Sequence, residues 1–109
     1  NSLLLVLIAG MGQASVPPPP PWSPALDCDR RVYATDGLIC EDAGLLAETR
    51  KIEVAFARAL TSASDDRARQ LSDDQQAWTR QRNMCAFDRK ARACVVRLQK
   101  QRMKALGGR

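Results

Sequence analysis

The chain has 109 residues, 45% hydrophobic and 5% aromatic, with four cysteines, no histidine and a formal net charge of +5. That length is enough for one small domain. Without histidine the commonest general base and metal ligand is missing, and there is no Ser-x-x-Lys pair or glycine-rich phosphate loop, so neither catalysis nor a cofactor is expected.

Charge is unevenly distributed. Residues 27–65 hold 5 basic and 8 acidic residues, whereas 66–109 hold 12 basic and 4 acidic ones. The second half therefore offers a cationic face to an anionic partner.

Taken in order, Ser2 to Ile8 reads SLLLVLI and is followed by AGMGQAS. A short apolar run ending in small residues has the pattern of a signal peptide, with cleavage expected after Ala14 and Gly12 at the −3 position. The run is too short to span a bilayer. LIAGM has the spacing of a lipoprotein lipobox, but Met11 stands where the lipidated cysteine must be. The expected product is exported, periplasmic or secreted, and not lipid-anchored. Val16 to Pro24, with five consecutive prolines, favours a stiff polyproline II spacer. The chain thus divides into a partial signal peptide (1–14), a proline-rich linker (15–26), a helical domain (27–106) and a tail (107–109).

The domain opens with a short mixed stretch, read as a helical turn at Arg30 to Ala34 and a link through Asp36 and Gly37. Helix A is predicted from Asp42, a good N-cap. Its stripe is Leu45, Ile52, Phe56 and Ala59, with Glu48 on the same face, and it fades near Thr61 to Ser64. Helix B is predicted from Ser64, with Ser72 as a second N-cap candidate. Leu71, Gln75, Trp78, Arg82 and Cys85 are spaced 4, 3, 4 and 3 apart, which places all of them on one helical stripe. Helix C is predicted from Asp88 to Leu106, with Ala91, Val95, Leu98, Arg102 and Leu106 along one face and Gly107 and Gly108 as its stop. No segment alternates with the period of a strand. The predicted fold is all-α: three main antiparallel helices after a short helical segment.

Four cysteines behind a signal-like segment suggest two disulfides. A zinc site would need closer cysteine pairs or histidines. Of the three possible connectivities, Cys28–Cys40 with Cys85–Cys94 closes the two shortest loops.

The polar members of the stripes call for partners. Glu48 is the expected partner of Arg82, forming a partly buried pair that sets helix register. Gln75 is expected to bond to backbone or to the same network. Arg102 is expected to be paired or to reach past the core, and Trp78 to be the centre of the core.

The ordered set Cys28, Ile39-Cys40, Leu45, Ile52, Phe56, Leu71-x3-Gln75-x2-Trp78-x3-Arg82-x2-Cys85, Cys94 and Arg102-Met103-x2-Leu106 resembles the LprI-type family. These are small exported bacterial proteins named for a lysozyme inhibitor. The resemblance spans Asp27 to Leu106 and implies a helical domain with paired cysteines that inhibits a cell-wall hydrolase. Four positions depart from the family pattern: Glu48-Thr49 replaces a usual Leu-Asp, Phe56 a usual tyrosine, and Gln99 another.

Two binding surfaces follow. An acidic one, around Asp36, Glu41, Asp42 and Glu53, would dock on a basic lysozyme. A basic one on helix C, comprising Arg89, Lys90, Arg92, Arg97, Lys100 and Lys104, would bind an anionic envelope polymer or lipid. Nucleic acid ranks third, because an exported chain rarely meets it and few aromatics are interleaved for stacking.

Overall fold

Burial of one stripe on each of three helices organises the domain. The computed structural model describes residues 22–107, so the signal-like segment, Met11 and most of the proline-rich stretch lie outside the described residues. The helices are α1 (Ala34–Cys40), α2 (Ala43–Thr61), α3 (Asp65–Asn83) and α4 (Ala91–Ala105), with a 3-10 turn over Met84–Phe87 between the last two. The described residues contain no strand, and no helix among them is long and apolar enough to cross a membrane.

Local chemistry sets the helix ends. The Asp42 carboxylate accepts from the Gly44 and Leu45 amides and starts α2. The Ser64 hydroxyl accepts from Arg67 N and starts α3, so Ser72 is an interior residue. Gly107, at φ 80°, ends α4 in the left-handed region that glycine tolerates best.

Two boundaries differ from expectation. The first helix occupies Ala34–Cys40, not Arg30 to Ala34, and takes in Asp36 and Gly37. The reason is Asp36, whose Oδ2 accepts from the Val32 and Tyr33 amides at 3.0 Å each and satisfies the chain entering the helix. The last helix begins at Ala91, later than Asp88, because the 3-10 turn and an Asp88 carboxylate accepting from Lys90 N intervene.

Helix α2 packs against α1, α3 and α4, and α4 also packs on α3. The core is Ile39, Leu45, Ile52, Trp78, Cys85, Cys94, Val95 and Leu98. Both disulfides join the expected partners, Cys28–Cys40 and Cys85–Cys94. The first fastens the entering chain to the end of α1, and the second closes the turn between α3 and α4. Thr35 Oγ1 donates to Asn83 O at 2.8 Å, which pins α1 across that same turn.

The linker as read from its prolines extends into the packed domain. Leu26 N donates to Glu53 Oε2 at 2.8 Å, Leu26 O accepts from Arg50 Nη1 at 2.8 Å, and the Trp22 ring meets Phe56 edge-on at 6.5 Å. Residues 22–26 therefore lie along α2 as a strap.

Candidate functional site

The α3 stripe carries the site. Leu71, Gln75, Trp78 and Arg82 are all buried, as the spacing predicts. Trp78 is 9% exposed, and its Nε1 donates to Leu98 O at 3.0 Å, so it is both a core side chain and a link to α4. Gln75 Oε1 accepts from Arg102 Nε at 2.6 Å. Arg102 Nη2 is buried without a hydrogen-bond partner. Burial pulls the Arg102 pKa below its ordinary value; nearby Asp74 opposes that and Arg67 adds to it.

Arg82 is 6% exposed. Its Nη2 donates to Asn83 Oδ1 at 3.1 Å, and Asp36 Oδ1 lies 3.7 Å away, close enough for ion pairing but too far for a hydrogen bond. Its Nε is buried with no partner. The guanidinium stands 5.5 Å from the centroid of the Trp78 ring, a cation–π distance. Desolvation lowers its pKa, and the charges of Asp36 and Glu53 work against that shift.

Glu48 is not the partner of Arg82. It is exposed and pairs with Lys51 at 3.1 Å. Thr49 takes the inward position instead, donating to Leu45 O at 2.9 Å and accepting from Gln99 Nε2 at 2.8 Å. Gln99 also donates to Leu45 O at 3.1 Å. This Thr49–Gln99 bridge between α2 and α4 was missed. The signal for it was the run Leu45, Thr49, Ile52, Phe56, whose 4, 3, 4 steps are as helical as those through Glu48.

A cavity of about 540 Å³ lies between the strap, the start of α1, and the faces of α2 and α3. Trp22, Leu26, Ile52, Trp78, Thr79 and Arg82 are among the side chains that line it. Gln75, Asp36 and Glu53 border it as well.

The four acidic residues all have partners within the chain. Asp36 is 5% exposed and occupied by two amides and Arg82. Glu53 holds Leu26 N and pairs with Arg50. Glu41 pairs with Arg31 at 3.2 Å. Asp42 caps α2 and accepts from Arg92 Nε at 2.8 Å. The Arg92 hydrogen bond, helped by the Leu45 amide, holds its carboxyl below the usual range. Each expected acidic contact is thus already engaged within the chain.

The basic residues fare differently. Arg92 is taken by Asp42, and Arg97 Nη2 reaches Cys94 Sγ at 3.9 Å. Arg89, Lys90, Lys100 and Lys104 are exposed and form no ion pair among the described residues. Arg97, Lys100 and Lys104 follow steps of 3 and 4, one solvent-facing stripe of α4, with Lys90 just ahead of the helix. No acidic residue follows Asp88.

The turn that opens this helix is the most prominent apolar feature. Phe87 is 81% exposed and Met84 63%, on a segment closed by Cys85–Cys94. Val32 and Tyr33 are exposed just ahead of α1, which packs on that turn. The described residues hold no group of His, Cys, Asp and Glu side chains suited to a metal ion.

Comparison with known proteins found no match to a family model, a curated protein or a solved structure.

Proposed function

We propose that this chain is an exported, non-catalytic binding protein that docks on and inhibits a cell-wall hydrolase of the lysozyme type. The carrying observation is the disulfide-closed turn, on which Phe87 is 81% exposed beside the exposed Arg89 and Lys90. Glycoside hydrolases work through a pair of carboxylates in a cleft. A preorganised turn with an aromatic anchor and two cations suits such a cleft in shape and sign. The LprI-type resemblance supports the same reading, and two disulfides fit an oxidising, extracytoplasmic compartment. The docking surface moves accordingly, from the self-paired acids to this turn.

The test is clearance of a cell-wall suspension by lysozyme in the presence of the oxidised chain beginning near Ser15. The expected result is inhibition at near-stoichiometric protein. Phe87→Ala, and separately Arg89→Glu with Lys90→Glu, should each weaken it by about tenfold or more, in the range of interface hot spots. Glu41→Lys, which breaks only an exposed pair, should leave it unchanged. Full inhibition by both turn variants would overturn this surface, and no inhibition by the parent chain would overturn the reading.

A second reading is favoured by the unpaired cations of α4. Its outer stripe would bind an anionic envelope polymer or lipid. Binding to anionic vesicles should then fall linearly in log affinity against log salt, as for polyanions whose counterions are released. Lys100→Glu with Lys104→Glu should flatten that slope; salt-independent binding would exclude the stripe.

A further inference from the structure

We infer that the cavity beneath the strap is a binding site for a small organic carboxylate with an apolar body, held at Arg82. This site is separate from the turn proposed above and does not depend on it.

The argument starts from an imbalance of partners. Three carboxylates border the cavity, and each is already engaged: Glu53 by Leu26 N and Arg50, Asp36 by the Val32 and Tyr33 amides, Asp27 by Asp29 N and, at 4.0 Å, Arg30. The buried cation is not so well satisfied. Of the Arg82 nitrogens only Nη2 has a hydrogen-bond partner among the described residues, a neutral amide oxygen, and Nε is buried with none. Asp36, its one ion-pair partner among the described residues, stays at 3.7 Å because its other oxygen is held by two amides. A guanidinium offers five donors in a planar fork that matches a carboxylate.

The rest of the cavity suits the remainder of such a ligand. Ile52, Trp78 and Trp22 give it apolar walls, and about 540 Å³ accommodates a molecule of amino-acid to dipeptide size. The strap that roofs it is held by the Leu26 hydrogen bonds and the Trp22–Phe56 contact, all of which can be released without disturbing the helices. A ligand can enter as that strap lifts, and Arg82 is among the residues that line the space it enters.

The two tryptophans of the chain, Trp22 and Trp78, both line the cavity, so occupancy has an intrinsic reporter. The probe is N-acetyl-leucine, with N-acetyl-leucinamide as the uncharged isostere, titrated into the oxidised chain. Tryptophan fluorescence and the indole resonances of ¹⁵N-labelled protein are the readouts. The acid should shift the Trp78 indole saturably, with a Kd of about 1 mM or tighter, and the amide should bind about tenfold more weakly or worse. Arg82→Lys keeps the charge but loses the fork and should weaken the acid about tenfold. Thr79→Met fills the cavity without altering Arg82 and should abolish the shift while leaving the thermal midpoint near that of the parent, which keeps the test decisive if the arginine variant misfolds. Equal affinity for acid and amide, no indole shift at all, or an undiminished response in Thr79→Met would overturn the site.

Discussion

Replacing Trp78 with alanine is expected to cost about 3–5 kcal/mol of folding stability, the range for truncating a large buried aromatic. Small domains are held by only about 5–15 kcal/mol in total, so the variant should be partly unfolded at physiological temperature. Three losses coincide at this residue. The ring leaves a hole among Ile52, Leu98 and Val95. The Leu98 carbonyl loses its indole donor. Arg82 loses the π-face beneath its guanidinium and is left more poorly compensated in a buried position. Trp78→Phe keeps most of the volume and a π-face but not the indole donor, so it should fall between alanine and the parent. Urea unfolding followed by circular dichroism ranks the three. A loss below about 0.5 kcal/mol for alanine, the scale of surface substitutions, would show that Trp78 is not the centre of the core.

Removing the Cys85–Cys94 bridge by paired alanine substitution is expected to lower stability by about 3 kcal/mol through loop-closure entropy. For a domain of this size that is a fall in thermal midpoint of about 12–24 °C. The Cys28–Cys40 loop is of similar length, with separations of 12 and 9 residues in the two cases, so entropy alone predicts similar losses. Packing separates them. Cys85 is 1% exposed and Cys94 8%, both within the core, whereas Cys28 lies outside it. The second bridge should therefore be the costlier to remove. It also holds the turn that presents Phe87, so hydrolase inhibition should be lost at temperatures where the variant is still folded. The Cys28–Cys40 variant should keep inhibition below its own unfolding transition. Parallel thermal scans and clearance assays on the two variants check both points. Equal inhibition by both while folded would separate the turn's rigidity from its activity.

The three longer helices and both disulfides are legible in the sequence because their signals are local, whereas the first helix is displaced from the expected turn at Arg30 to Ala34. Caps at Asp42 and Ser64, a Gly107 stop and two short cysteine loops each act over a few residues. The α3 stripe was legible for the same reason. Partner choice was not. Glu48 and Thr49 both fit the phase of α2, and the steps between apolar residues do not decide between them. Energy does: a carboxylate turned inward would be desolvated, whereas a threonine hydroxyl can bond to Leu45 O and receive Gln99. Asp36 was read as a link because it precedes a glycine. Its capping and its approach to Arg82, 46 residues away along the chain, depend on how α1 crosses α3. The intramolecular partners of Glu41, Asp42 and Glu53 were not legible for the same reason, since charges that look free along the chain are matched across it. The cavity had no sequence signal, since it exists only where the strap lies over α2 and α3.

The strap also decides where this protein can be cut. By composition, a protease site or a fusion junction belongs anywhere before Asp27. The Leu26 backbone, however, is tied at both N–H and C=O to a helix 24–27 residues further on. Chain scission on the carboxyl side of Leu26 would sever that tie and leave Phe56 without its aromatic cover. Limited digestion should therefore spare residues 22–26 in the native protein, and a recombinant domain meant to keep the strap should begin ahead of Trp22.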